Sequence, residues 1–408
     1  MKLDPIITHL TDIDAYKPNM GAVISRFYGI YTAKWALKIR NENVRFTPEM
    51  ITEIKEQIDH FCSLKFTSEE IAGLKKNFTW LPPAYIINNL KNWHPNREDI
   101  HINEIGMIDY SNCGLMIEAE GTWLDTSLYE IAILAIVSEV WFAMKCADQK
   151  DKLDIEFQKR TIDKFNGIKN GTYDIGTFSE FGTRRRYSKN MQEWLIKYIL
   201  NENIPGFVGT SNIYFANKYG TKAIGSQAHE LYCGVQQKPG LDKAWTNAEI
   251  LDKWNQVYKT RLGIALTDTL GSELFLKDFD ENYATLFSGV RHDSGDPFWW
   301  GNLMINHYKK LGIDPKTKTL LFSDSLDFER ATKIRKEFKD QINVAFGIGT
   351  FLTCDIGVEP LNVVFKMIEC NGKPVAKLSN TRGKIMCRDN AYVDYLQRCI
   401  DWRMKYDN

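Results

Sequence analysis

From about Asp174 onward one pattern recurs along the chain. A short apolar run ends abruptly in a polar, Gly-rich or charged cluster, and most clusters are followed by apolar positions at helical spacing. The clusters are Phe181-Gly182-Thr183-Arg184-Arg185-Arg186, Gly209-Thr210-Ser211-Asn212, Gly225-Ser226-Gln227-Ala228-His229-Glu230, Thr267-Asp268, Arg291-His292-Asp293-Ser294-Gly295-Asp296, Ser323-Asp324 and Gly347-Ile348-Gly349-Thr350. Parallel strands whose carboxyl ends face one site give this pattern, and in a β/α barrel that rim carries the chemistry. The pattern predicts helices over 191–201, 248–260, 301–311 and 327–338. It predicts strands over 263–266, 319–322 and 343–346, within a barrel of seven or eight strands.

Residues 1–150 lack this rhythm. Strands are expected over 33–39, 100–105 and 114–119, with Asn112 and Gly121 as punctuation. Helices are expected over 48–61, 68–75, 83–93 (opened by Pro82-Pro83) and 128–147. The predicted fold class is therefore α/β: an irregular TIM-like β/α barrel over 151–362 with an N-terminal α+β domain over 1–150. The segment 363–408 is expected to pack on that N-terminal domain. Within it, Val363–Cys370 and Pro374–Leu378 flank Asn371-Gly372, a type I′ hairpin signal.

Composition narrows the function. The 408 residues carry 52 Lys+Arg and 52 Asp+Glu, so the net charge is zero. This argues against bulk nucleic-acid or anionic-membrane binding. The first residues hold Asp4, Asp12 and Asp14 and no apolar signal region, and the apolar run Ile131–Met144 is shorter than a membrane span. Eight scattered cysteines (62, 113, 146, 233, 354, 370, 387 and 399) form no Cys-x-x-Cys. Reduced thiols in the cytoplasm are expected.

Each cluster has a chemical and a structural reading. Gly347-Ile348-Gly349-Thr350 can cradle a phosphate through backbone N–H groups, or be a plain turn. It is not a dinucleotide fingerprint, since position 352 is Leu, and no Gly-x-x-x-x-Gly-Lys-Ser/Thr exists. In the 291–297 segment, Arg291 can meet a phosphate while Asp293 and Asp296 orient ribose hydroxyls or magnesium waters; a buried Arg–Asp pair is the alternative. Asp268 and Asp324 are rim carboxylates or helix N-caps. His229 is a nucleophile or proton carrier needing an acidic partner, for which Glu230 or another rim carboxylate is available, or it is a packing residue. Phe181 can stack on a planar ring and Arg184 can hold a phosphate, with Arg185 and Arg186 read as a solvated helix start.

In this order, the clusters resemble those of the nicotinate phosphoribosyltransferase family, nearest to its gamma-proteobacterial type. The resemblance begins at Thr11-Asp12-Ile13-Asp14-Ala15-Tyr16-Lys17 and runs through Phe207-Val208-Gly209-Thr210-Ser211-Asn212 to Glu369-Cys370-Asn371-Gly372-Lys373-Pro374-Val375-Ala376-Lys377-Leu378-Ser379. It implies the type II phosphoribosyltransferase fold and an ATP-dependent ligase of NAD salvage. Nicotinate, 5-phosphoribosyl 1-pyrophosphate and ATP would give nicotinate mononucleotide, pyrophosphate, ADP and phosphate, with magnesium as the metal and a transient phosphohistidine. His229 is similar to the phosphorylated histidine. Phe181 is similar to the residue stacking on the pyridine, with Tyr16 on the other face from a neighbouring subunit, which implies a homodimer with shared sites. Arg184 and Arg291 resemble phosphate ligands. Asp268, Asp293 and Asp324 resemble ribose, pyrophosphate–magnesium and histidine-orienting groups, with Asp293 as the metal ligand. Gly349 and Thr350 resemble the 5-phosphate cradle. The nicotinamide enzyme has Asp where Ser211 stands, and a carboxylate ligand beside Asp would be repelled. Ser211 with Thr210 therefore favours nicotinate. The alternatives are a relative that uses nicotinamide or quinolinate, and a ligand-binding protein without turnover.

Overall fold

The computed structural model describes residues 2–104, 114–380, 385 and 387–407. Ile105, Asn112 and Cys113 lie outside them. Two sheets organise the chain. The first is antiparallel, in the order β12-β11-β1-β3-β2. It comprises β1 (Thr32–Ile39), β2 (Ile100–Glu104), β3 (Leu115–Thr122), β11 (Val363–Cys370) and β12 (Lys373–Pro374). The second is a curled parallel sheet of seven strands. It comprises β4 (Thr177–Glu180), β5 (Phe207–Thr210), β6 (Lys222–Ala223), β7 (Ile264–Leu266), β8 (Gly289–His292), β9 (Thr319–Phe322) and β10 (Asn343–Ile348), in the order β6-β5-β4-β10-β9-β8-β7. Among the described residues no ladder joins β6 to β7. The sheet is thus a half-barrel of the expected α/β class, and every cluster sits at or just beyond the carboxyl end of a strand.

The helical stretches fall near their predicted bounds, at Lys189–Asn201, Thr246–Tyr258, Pro297–Lys310 and Phe328–Phe338. The last is capped by Asp327 and not by Asp324. One predicted helix is broken: 83–93 ends at Asn88, and a separate turn spans Leu90–Asn92. Helices Tyr16–Phe27, Lys150–Lys169 and Asn390–Tyr406 have no counterpart in the predicted elements. Pro18 and Gly21 mask the first, although Pro is tolerated in the first helical turn.

The C-terminal segment divides. β11 lies along β1, and Asn371 and Gly372 both have positive φ, as a type I′ turn requires. Strand β12 ends at Pro374, short of the predicted Leu378. The helix Asn390–Tyr406 instead buries Leu396 and Ile400 against Ala244, Leu270 and Leu274 on the barrel side. The apolar helix Tyr129–Lys145 is buried on nearly every face, so its hydrophobicity is that of a core element.

Candidate active site

A cavity of about 1030 Å³ opens at the carboxyl ends of the parallel strands. Tyr16, Phe181, Arg184, Ser211, His229, Arg291, Asp293, Asp324, Gly349 and Thr350 all line it. Two residues expected there do not. Thr210 is fully buried and its hydroxyl donates to Glu180 Oε2 at 2.5 Å. Asp268 is fully buried behind His229.

His229 opens the short helix His229–Val235 in the gap between β6 and β7. Its Nε2 lies 2.9 Å from Asp268 Oδ1, and its Nδ1 lies 3.6 Å from Asp293 Oδ2. Asp268 Oδ2 also accepts from Ser294 Oγ and pairs with Lys377 Nζ at 3.2 Å. Burial would raise the Asp268 carboxyl, but His229 and Lys377 hold it well below the usual carboxylate range. Burial, then Lys377, push the His229 pKa down, against the pull of Asp268. The arrangement that satisfies both is a neutral imidazole whose Nε2–H donates to an ionised Asp268. The Nδ1 lone pair is then left on the side of Asp293, which itself lines the cavity. Burial opposes the ionisation of Asp293, but the Arg291 guanidinium, with Lys377 further off, brings it down to about 2.

Of the three rim carboxylates Asp268, Asp293 and Asp324, Asp268 is the one at short hydrogen-bond distance from His229. Glu230, weighed as the acidic partner, points the other way: it accepts from Lys17 Nζ at 2.6 Å and from Trp123 Nε1 at 2.9 Å. Asp296 is neither in the cavity lining nor in a buried Arg–Asp pair: it is exposed and caps the helix Pro297–Lys310 by accepting from the Trp299 amide. Asp324 lines the cavity and accepts from Ser325 Oγ. Asp293 accepts from Ser323 Oγ at 2.9 Å and lies 3.7 Å from Arg291.

The arginine run also divides. Arg184 and Arg185 line the cavity. Arg186 is no solvated helix start: it is fully buried, bidentate to Asp12 at 2.8 and 3.0 Å, and donates to Glu139 at 2.6 Å. Arg184 stands 3.8 Å from Asp14 and 3.7 Å from Glu130, too far for short hydrogen bonds. An incoming anion can therefore compete for it. Phe181 packs flat enough on Gly347 that a Cβ there would run into its ring.

Tyr16 lines the cavity of its own chain. Residues 11–15 are sewn to the loop after β5: Ala15 N donates to Ser211 O at 2.7 Å, and Ile213 N to Ile13 O at 3.0 Å. Gly225 allows this approach, since a Cβ there would lie 2.6 Å from Tyr16 N. The same stitch revises the argument from Ser211. Its hydroxyl donates to Asp14 Oδ1 at 2.6 Å, so a carboxylate already stands beside it. Burial raises the Asp14 pKa, with Arg184 and Ser211 opposing. The hydroxyls of Thr210 and Ser211 are both committed, and the attraction for an anion falls to Arg184 and its neighbours.

Several wall residues escaped sequence reasoning: Asp14, Arg40, Glu130, Lys366 and Lys377. For Lys377 a signal existed, because it lies in the quoted 369–379 segment. Glu130 had none; it is one carboxylate in an apolar helix.

Among the described residues, no three His, Cys, Asp or Glu side chains gather to hold a metal. Asp293 and Asp324 both line the cavity, and carboxylate oxygens are the donors magnesium takes beside its waters and substrate phosphates.

A curled parallel sheet with a cavity of mixed charges and aromatic rings at its strand ends defines the α/β class, with the candidate site where such folds place one. Comparison with known proteins makes this specific. The profile of the nicotinate phosphoribosyltransferase (NAPRTase) family matches residues 177–402, and that of its N-terminal domain matches 11–138. The nicotinate phosphoribosyltransferase of Photorhabdus laumondii is 38% identical over 98% of each chain. That of Cupriavidus necator is 38% identical over 96% of this chain and 98% of its own. The crystal structure of the Vibrio cholerae nicotinate phosphoribosyltransferase superposes with a TM-score of 0.90 at 34% identity, covering 98% of this chain and 96% of that one. That from Porphyromonas gingivalis gives 0.87 at 29% identity, covering 97% and 100%. The chain belongs to the nicotinate phosphoribosyltransferase family.

Proposed function

We propose that this protein transfers the phosphoribosyl group of 5-phosphoribosyl 1-pyrophosphate to nicotinate, and that phosphorylation of His229 by ATP drives the reaction. Family membership supports the transfer. The observation that carries the coupling is the buried pair of His229 and Asp268, with Lys377 on the far carboxylate oxygen.

Phe181 and Tyr16 present rings for the pyridine, and Arg184 attracts its carboxylate or a substrate phosphate. Arg291 and the Gly349–Thr350 turn face phosphate oxygens. The pyridine nitrogen attacks the anomeric carbon as the bond to pyrophosphate breaks. No proton leaves that nitrogen, so no general base is needed. The chain's work is to hold the ring in line and to meet the negative charge of the leaving group. Asp293 and Asp324 would hold magnesium through water or directly, and the metal would add charge neutralisation to the pyrophosphate. That leaves His229 free. Its Nδ1 lone pair attacks the γ-phosphorus of ATP, the bond to the ADP oxygen breaks, and the proton stays on Nε2, donated to the Asp268 carboxylate. Hydrolysis of the phosphohistidine by water returns the free enzyme. The phosphoryl group adds negative charge beside Arg291 and Lys377 and so changes what they attract.

The test compares wild type with His229→Ala for nicotinate mononucleotide formation, each with and without ATP. Acceleration by ATP in wild type alone is expected. Full ATP acceleration in His229→Ala would refute the coupling.

A further inference from the structure

Lys17 sits just behind two carboxylates of the cavity wall, Glu130 and Glu230, and the reaction as proposed uses none of the three. Lys17 is fully buried and does not itself line the cavity. Its ammonium bridges two carboxylates, Glu230 Oε2 at 2.6 Å and Glu130 Oε2 at 2.7 Å. Burial would lower the Lys17 pKa, yet Glu130 and Glu230 together raise it, so the group stays charged. Each carboxylate leads to a different part of the site. Glu230 follows His229 in the chain and is pinned on its other oxygen by Trp123. Glu130 accepts from Tyr16 Oη at 3.2 Å and from Lys366 at 3.2 Å, and faces Arg184 at 3.7 Å. The helix Tyr16–Phe27 that carries Lys17 also touches the His229 turn through Asn19, which donates to Gly225 O at 2.9 Å.

We propose that Lys17 is a positioning residue that sets the poses of His229 and Arg184 together. Two carboxylates sharing one desolvated cation are held at fixed places; with the cation gone, each needs another partner. Glu130 would draw Arg184 and Lys366 inward, away from a ligand. Glu230 would lose its anchor, and the first turn of the helix carrying His229 would loosen. Lys17 thus joins the pyridine end of the cavity to the phosphoryl end without touching either ligand.

This inference rests on the proposed function, and one experiment separates the two. The steady-state KM for nicotinate and the ATP hydrolysed per nicotinate mononucleotide formed are measured for wild type, Lys17→Met, Glu230→Gln and the double variant. Wild type without ATP acceleration would overturn the functional reading. Given a coupled wild type, folded Lys17→Met is expected to raise the nicotinate KM tenfold or more and the ATP per product at least twofold. Glu230→Gln keeps the side-chain shape and an acceptor for Trp123; it is expected to raise ATP per product with a smaller change in KM. The double variant, which restores charge balance, is expected to recover part of the KM. A lysine with a purely structural role would lower the melting temperature and leave both readouts at wild-type values, and that result would overturn the proposal. Should Lys17→Met fail to fold, wild-type ATP per product in Glu230→Gln overturns it equally.

Discussion

Asp268→Asn is the substitution that most sharply separates the histidine account from a packing role. In the native site Asp268 Oδ1 faces His229 Nε2, and Oδ2 faces Ser294 and Lys377. An asparagine must turn its NH2 one way or the other. Turned toward Lys377, it would leave a desolvated cation against a donor, a charged mismatch of about 1–3 kcal/mol or more. Turned toward His229, it needs only a change of imidazole tautomer, which is the smaller penalty. The amide therefore faces the ring, Nε2 becomes the acceptor, and the proton moves to Nδ1. That removes the lone pair on which the proposed attack on ATP depends. In a serine-protease triad the same substitution traps the wrong tautomer and lowers kcat about 10⁴-fold. Here we expect phosphoryl transfer from γ-labelled ATP to the protein, followed by rapid base quench, to slow by on the order of 10²–10⁴. Transfer to nicotinate without ATP should change far less. Since burial and Lys377 hold the His229 pKa below its ordinary 6.5, the wild-type rate should stay flat from neutral pH down past that value and fall only below it. Wild-type labelling in Asp268→Asn would refute the reasoning.

Three further perturbations have definite outcomes. Gly347→Ala drives a methyl into the Phe181 ring; overpacking of about 1–3 kcal/mol is expected in chemical denaturation, with a raised nicotinate KM as the ring shifts into the cavity. Arg186→Met strands Asp12 and Glu139 in the core and should destabilise the fold by about 3–5 kcal/mol. The same pair predicts acid sensitivity: burial opposes the ionisation of Asp12, but Arg186 and Lys189 hold its carboxyl well below 3.8. Its contribution is complete above that unfolded value and is lost as pH falls toward the depressed native pKa, so Arg186→Met should show a shallower acid limb in melting temperature against pH. Ser211→Asp sets a second carboxylate against Asp14 and should weaken nicotinate binding at least tenfold, read by calorimetry.

How much of this was legible in the sequence follows from distance along the chain. The rim was legible because strand, cluster and helix are local neighbours, and their polarity changes within a few residues. Phe181, His229, Arg291, Asp293, Asp324, Gly349 and Thr350 were all placed that way, and all line the cavity. The supporting layer was not legible because its partners are remote. Ser211 meets Asp14 across 197 positions, and Lys17 meets Glu230 across 213. Nothing local tells Arg186, fully buried, from Arg184, which faces the cavity; tertiary packing alone divides the run. Asp268 shows the same limit. Its position at a strand end was readable, but its partners were not: His229 lies 39 positions away and Lys377 arrives from the far end of the chain.

The central claim is an ATP-coupled transfer to nicotinate in preference to nicotinamide. Its most direct test is chromatographic measurement of pyridine mononucleotide formed from phosphoribosyl pyrophosphate and magnesium, with either base, with and without ATP. Nicotinate mononucleotide whose rate rises strongly with ATP, with ADP released alongside, is the expected result. Equal or faster product from nicotinamide, or a nicotinate rate indifferent to ATP, would contradict the account.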